Sequence, residues 1–316
     1  MAVMALNIAE GAPGDGSQPD RCSRLSRRGA LKVLGAACGG AATAACAPGY
    51  SEWLQRFFQE HYQRMTPAEV KDVLARMERE YQAELGVAVK VKDTKPIPGV
   101  RFGYALNISK CKGYRECVRA CIEENNLSRD PELSYIRVLE MDNGTMDLDR
   151  SDHYYEHAIV PQPGKFYLPI SCMQCDNAPC VKACPVKATW AEPDGVVVID
   201  YDWCIGCRAC QAACPYGARH FNWGTPTLAP KGIQTDTHVL GNRPRPRGVV
   251  EKCTFCLHRT REGRLPACHE ACPTGARVFG NLLDPASEIR WVLEHKTVFR
   301  LKEGLKTEPK FWYYSD

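Results

Sequence analysis

The sequence predicts an α+β chain in which one small two-part module is inserted into another, preceded by a helical arm. Three observations carry that prediction. Fifteen of the 18 cysteines fall into four clumps between residues 111 and 272. Short apolar runs such as "VRFGYALNI" and "GVVVIDY" precede clumps, and short helical stretches follow within them. Ahead of them, apolar residues between 51 and 85 recur at helical spacing.

In chain order, the first segment is a targeting sequence. Ser26-Arg27-Arg28-Gly29-Ala30-Leu31-Lys32 resembles the twin-arginine export signal, with Ala30 where that signal usually carries Phe. A short Ala/Gly-rich stretch follows, too mild to span a bilayer. Residues 1–46 are therefore expected to act as an export signal, which places the protein in the periplasm. Cys46 is the position where a lipid anchor would attach, although Thr43 stands where such signals prefer Leu. Removing this segment takes away five basic and three acidic residues, so the net charge of +4 falls to +2. Neither value suggests nucleic-acid binding. No apolar run in the chain approaches the length of a membrane span.

Residues 50–98 read as a helical arm and linker. Trp53, Leu54, Phe57, Phe58 and Tyr62 predict a helix over 51–64. A second helix starts at Thr66-Pro67-Ala68-Glu69, where Thr66 caps, Pro67 takes the first turn and Glu69 closes a capping box. Val70, Val73, Leu74 and Met77 supply its apolar face, which fades near Leu85. "KDTKPIPG" is the linker. At the other end, "SEIRWVLEHKTVF" reads as a helix and then an extended segment, and Phe311-Trp312-Tyr313-Tyr314 as a packing cluster in a wrapping tail, 284–316.

The clumps carry the chemistry. In "CIGCRACQAACP", Cys204, Cys207 and Cys210 are two residues apart, and Cys214 follows three later, before Pro215. Three thiolates at this spacing wrap one face of an iron–sulfur cube, and the fourth ligates the other cluster of a pair, as in bacterial ferredoxins. Gly206 lets backbone amides approach the cluster. "CMQCDNAPCVKACP" has two more residues before Cys180, and "CTFCLHRTREGRLPACHEACP" has eleven between Cys256 and Cys268. Both keep the last step, to Cys184-Pro185 and Cys272-Pro273. In "SKCKGYRECVRAC", Cys111, Cys117 and Cys121 fit the template, but Tyr114 occupies the second position.

Three other readings compete. Paired CxxC steps bind zinc, but zinc does not explain a fourth cysteine before proline, three times over. Exported chains hold disulfides, but a twin-arginine substrate folds before export. Thioredoxin-like chemistry needs a single CxxC in a βαβ unit.

The middle clumps are 19 residues apart and form one ferredoxin-like module, 169–244. The outer clumps form the other, from 99–168 with 245–283. Crossed ligation then predicts three [4Fe–4S] sets. They are Cys172, Cys175, Cys180 and Cys214; Cys204, Cys207, Cys210 and Cys184; and Cys253, Cys256, Cys268 and Cys121. The remaining set, Cys111, Cys117 and Cys272, lacks a fourth thiolate, because a neutral phenol (pKa about 10) is a poor ligand. A [3Fe–4S] centre is expected there. A four-iron cluster with water, Tyr114 or a distant ligand, and a lost cluster, remain as alternatives.

Four motifs, the long loop in the last one, "CIGCRACQAACPYGARHFNW" and "VVEKCTFCLHR" together resemble the iron–sulfur electron-transfer subunits of molybdopterin oxidoreductases, over residues 99–280. The relatives of that family serve dimethyl sulfoxide, tetrathionate and polysulfide reductases. The resemblance implies two packed ferredoxin-like modules and no active site of the chain's own. It also implies a wire of clusters between a molybdopterin catalytic subunit and a quinone-reactive membrane subunit. An independent periplasmic polyferredoxin, or a hydrogenase-associated carrier, is the alternative.

Three further features are weighed. Arg243-Pro244-Arg245-Pro246-Arg247 reads as a stiff solvated loop or a docking site for an acidic partner. His153 and His157 have no cysteine nearby in sequence, and Trp203 is expected to shield the cluster beside Cys204.

Metal analysis of the purified protein checks the class of metal: iron and acid-labile sulfide are expected with iron–sulfur absorption, and a zinc-loaded, iron-free protein would refute the cluster reading.

Overall fold

The computed structural model describes residues 65–228 and 232–316. The export signal, the helix expected over 51–64 and Cys22, Cys38 and Cys46 lie outside the described residues. Pro67–Asp316 belong to one compact unit.

Helix α1 (Pro67–Leu85) forms where the capping pattern predicts it and buries Met77 and Tyr81. It is tied down by polar contacts as well. Glu78 Oε1 accepts from the amide of Val91 at 2.9 Å, and the Tyr81 hydroxyl donates to the carbonyl of Pro244 at 3.0 Å. Val91 belongs to β1 (Lys90–Lys92), which pairs in parallel with β8 (Asp236–His238).

The main sheet has four strands in the order β10 (Arg277–Asn281), β2 (Phe102–Asn107), β12 (Phe311–Tyr314) and β11 (Val298–Phe299). Every residue of β2 is buried, which is why "FGYALN" shows no polar alternation. It pairs antiparallel with β10 and parallel with β12. Tyr104 and Phe311 stack at 4.9 Å, and Phe102 and Phe279 at 5.2 Å. Such pairs add about 0.5–1.5 kcal/mol each beyond area burial. The aromatic cluster at 311–314 therefore packs as an inner strand of the sheet. Helix α7 (Glu288–His295) covers β10 and β2 through Ile289 and Val292.

The rest of the chain is short elements around loops. Two antiparallel ladders join β3 (Arg137–Asp142) to β4 (Lys165–Ile170) and β5 (Thr189–Ala191) to β6 (Val197–Ile199). A third joins β7 (His220–Phe221) to β9 (Val250–Glu251). The small helices are α2 (Glu116–Glu124), α3 (Pro179–Lys182), α4 (Ala209–Ala212), α5 (Leu257–Thr260) and α6 (Ala267–Glu270). Four of them meet in two pairs, α2 with α6 and α3 with α4.

The 243–247 segment corrects a sequence expectation. Arg243 and Arg245 are 2% and 4% exposed, and only Arg247 faces solvent. Arg245 lies 2.5 Å from Glu251, which also accepts from the Tyr135 hydroxyl at 2.7 Å. Arg243 pairs with Asp202 at 3.0 Å and donates to the carbonyl of Val239 at 2.7 Å. The two guanidinium groups enter the interior because carboxylates and carbonyls meet them there.

Replacing Arg245 by Met leaves Glu251 buried without its cation. A loss of about 3–5 kcal/mol is expected, read as a large fall in unfolding temperature. Arg247→Ala, on the exposed side of the same turn, stays within about 0.5 kcal/mol of the parent.

Candidate metal centres

The fold brings the fifteen clumped cysteines together in four groups, and all fifteen are free thiols. Cys111, Cys117 and Cys272 wall one cavity with about 360 Å³ of empty space, part of it open to solvent. Tyr114 lines that cavity too. Cys172, Cys175, Cys180 and Cys214 wall a second cavity with about 330 Å³ of empty space, part of it open to solvent. Cys121, carried on α2, lies among Cys253, Cys256 and Cys268, which push its thiol further up. Asn125 reaches two of these, with Nδ2 3.6 Å from Cys121 Sγ and 3.7 Å from Cys256 Sγ. Cys184 and Cys207 both bear on Cys204, and Cys184 also on Cys210.

The helix pairs explain the crossing. Packing α2 on α6 brings Cys121 to the site of Cys268, on the far side of a long insertion in sequence. Packing α3 on α4 lets the last cysteine of each middle motif cross to the other's site.

The four groups are strung in one order. Cys117 of the first group bears on Cys121 and Cys268 of the second. Cys172 of the third bears on Cys253 of the second. Arg219 bears on Cys180 and Cys172 of the third and on Cys210 of the fourth.

The loops at the two ends share a backbone. Gly113 and Gly206 have φ +78° and +72°, and Arg115 and Arg208 have φ 59° and 61°. A Cβ at Gly113 would stand 2.5 Å from the Tyr167 ring, and one at Gly206 2.2 Å from the Gly248 carbonyl oxygen. Arg115 lies 4.4 Å above the Tyr155 ring, and Arg208 4.5 Å above Trp223. In this shared frame Tyr114 takes the place that Cys207 holds. The Tyr114 loop is thus a cluster loop in conformation, with a phenol at one corner.

Burial pushes the thiols up: Cys111 to about 11, Cys175 and Cys253 to about 12, and Cys121 and Cys256 well above the ordinary value. Backbone amides work against burial at several sulfurs, Gly113 at Cys111, Phe255 at Cys253 and Ala267 at Cys256. A coordinated metal would hold such sulfurs as thiolates and release their protons.

The cavities also fit an anionic occupant. Arg219 lines the second cavity with Nε and Nη1 unpartnered, and Arg277 lines the first with Nη2 unpartnered. Among the described residues no three Cys, His, Asp or Glu side chains converge on a single-ion point. Sulfurs around zinc stand about 2.3 Å from one centre. Sulfurs that wall a void fit a polynuclear cluster instead.

Sequence reasoning missed Arg219, Arg277, Lys252 and Asn125. The first two had a signal: "CPYGAR" and "CPTGAR" repeat, with the arginine five residues after Cys214 and Cys272. His153 and His157 are exposed and join no thiol group. Trp203, half-buried, donates Nε1 to the carbonyl of Val186 at 2.6 Å.

Thiol groups of this kind on short helices and two-stranded ladders define an iron–sulfur protein of the ferredoxin type. Comparison with known proteins narrows this. The family described as 4Fe-4S dicluster domain matches residues 164–234 and 240–282. The chain is 38% identical to the iron–sulfur cluster-binding subunit of the menaquinone reductase of Nitratidesulfovibrio vulgaris, over 68% of this chain and 89% of that one. It is 37% identical to a selenate reductase subunit of Mesobacillus selenatarsenatis, over 69% of this chain and 73% of that one. It is 31% identical to the iron–sulfur subunit of the arsenate respiratory reductase of a Shewanella species, over 68% of this chain and 96% of that one. The chain belongs to the family of iron–sulfur electron-transfer subunits of molybdopterin oxidoreductases and related reductase complexes.

Tyr114→Cys is expected to raise the iron content from about 15 to about 16 per chain and to abolish a three-iron EPR signal of the oxidised protein. An unchanged signal and iron count would overturn the three-iron assignment.

Proposed function

We propose that this chain carries four iron–sulfur clusters in a row. Cys111, Cys117 and Cys272 hold a [3Fe–4S] centre. Cys121, Cys253, Cys256 and Cys268, then Cys172, Cys175, Cys180 and Cys214, then Cys184, Cys204, Cys207 and Cys210 hold [4Fe–4S] clusters. The observation that carries this reading is the linear order of the four thiol groups: the first bears on the second, the third bears on the second, and Arg219 links the third to the fourth. When bound, such clusters supply one-electron carriers, with potentials between about −700 and +450 mV.

The chain's own residues bind, space and shield. At the first site Tyr114 is 38% exposed, and at the fourth Cys207 is exposed beside Ile205 and Trp223, at 51% and 65%. Cys121, Cys256 and Cys268 of the second site are buried. Exposure at both the first and the fourth site suits a relay between two partners. We assign those partners as a molybdopterin catalytic subunit and a quinone-reactive membrane subunit, with no active site on this chain. Among the described residues no helix is long and apolar enough to cross a membrane; we assign membrane association to the partner. The pairing of β2 with β10 and α2 with α6 around the α3–α4 pair supports a nested arrangement, 169–244 within 99–168 and 245–283. Residues 1–46 act as the twin-arginine signal that delivers the folded, loaded chain to the periplasm.

Purification from gently solubilised membranes tests the relay. The chain is expected to elute in a complex containing molybdenum and an integral membrane protein, with its clusters reduced by a quinol analogue. Elution as a free soluble carrier would replace this reading with an independent polyferredoxin.

A further inference from the structure

Seven Lys and Arg residues are buried among the described residues: Arg219, Arg243, Arg245, Lys252, Arg261, Arg277 and Lys310. Four of them face a carboxylate at ion-pair distance. These are Arg243 with Asp202 at 3.0 Å, Arg245 with Glu251 at 2.5 Å, Arg261 with Asp194 at 2.8 Å and Lys310 with Asp176 at 2.5 Å. Arg219, Lys252 and Arg277, which are 2%, 1% and 4% exposed, have no such partner. Their contacts are neutral oxygens and cysteine sulfurs. Arg219 Nη2 lies 3.0 Å from Cys180 Sγ and 2.9 Å from Thr189 Oγ1. Lys252 Nζ donates to the carbonyls of Cys253, at 2.7 Å, and Val197. Arg277 Nη1 lies 3.4 Å from the Tyr104 hydroxyl and 4.0 Å from Cys268 Sγ.

These three side chains occupy the three spaces between successive thiol groups. Arg277 bears on Cys117 of the first group and Cys268 of the second. Lys252 bears on Cys253 of the second and on Cys172 and Cys180 of the third. Arg219 bears on Cys172 and Cys180 of the third and Cys210 of the fourth. A buried cation without a counter-charge is costly. The anions available to these three are the thiolates and the clusters they hold.

Resting on the four-cluster reading, we infer that Arg277, Lys252 and Arg219 are inter-cluster counter-ions, one per gap, each of which raises the potentials of the two clusters it separates. Adding an electron makes a cluster more negative. A fixed cation at short range in a low-dielectric interior stabilises that reduced state. Because each cation acts on thiols of both neighbours, it affects them as a pair.

Potentiometric EPR titration of the purified complex, in the parent and in Arg277→Met, Lys252→Met and Arg219→Met, tests this. Each variant is expected to shift the one-electron equilibrium of its two flanking clusters at least tenfold toward the oxidised form, a fall of about 59 mV, and to move the distant clusters less. Arg277→Lys, Lys252→Arg and Arg219→Lys keep the charge and are expected to stay near the parent. Unmoved potentials in a methionine variant with its full iron content overturn the inference, as do conservative variants that shift as far as the neutral ones. Where a methionine variant loses iron, loss confined to the two flanking clusters supports a counter-ion role, and general loss or unfolding overturns it. A parent protein with no iron–sulfur signal overturns the four-cluster reading itself, and this inference with it.

Discussion

The structure depends on burying sulfur charge inside a small protein. Ordinary burial holds thiols protonated, as the raised Cys111, Cys175 and Cys253 values express. Part of what surrounds them works against that tendency, although neighbouring thiols add to it. Amides at Gly113, Phe255 and Ala267 point to sulfur, and helix pairs α2–α6 and α3–α4 deliver thiols from distant sequence to a common wall. The largest hydrophobic core runs through these thiols, taking in Cys121, Cys175 and Cys268 with residues of β3, β4, β6 and the β10-β2-β12-β11 sheet with its aromatic stacks. That sheet fixes the frame, and the cysteine loops hang from it with little regular structure of their own.

Local backbone conformation matters most where that regular structure is absent. The loops at 111–117 and 204–210 use the same sequence of left-handed positions, with Gly where a Cβ would strike a neighbour and Arg where a guanidinium stacks on an aromatic ring. One loop carries cysteine at its second position and the other tyrosine. The left-handed backbone is free at Gly113 and costly at Arg115, and both loops adopt it at the arginine.

Much of this was legible in the sequence because cysteine spacing is a geometric constraint. The clumps, their grouping and the start of α1 at Pro67 follow from spacing and capping chemistry alone. The arginines at 243 and 245 were misread because charge and proline usually mark surface, and the partners that reverse this, Asp202 and Glu251, are remote in sequence or look unremarkable. Lys252 was invisible for a related reason: nothing beside it in sequence tells that Val197 and two thiol groups close around it. Arg219 and Arg277 were readable from their repeated hexapeptide, but a single repeat does not say toward which sulfur a side chain turns.

Strand β2 has a consequence for how the protein is made. Both of its sheet neighbours come from much later in the chain, β10 at 277–281 and β12 at 311–314. The thiols at Cys111 and Cys117 likewise wait for Cys272, and Cys121 for Cys253, Cys256 and Cys268. During synthesis, the first half of the chain therefore emerges with its central strand unpaired and its outer thiols incomplete. The inner elements, 169–222, can close on themselves well before that. On this topology the inner elements can assemble before the outer ones, whose sheet is completed only once β12 has been made.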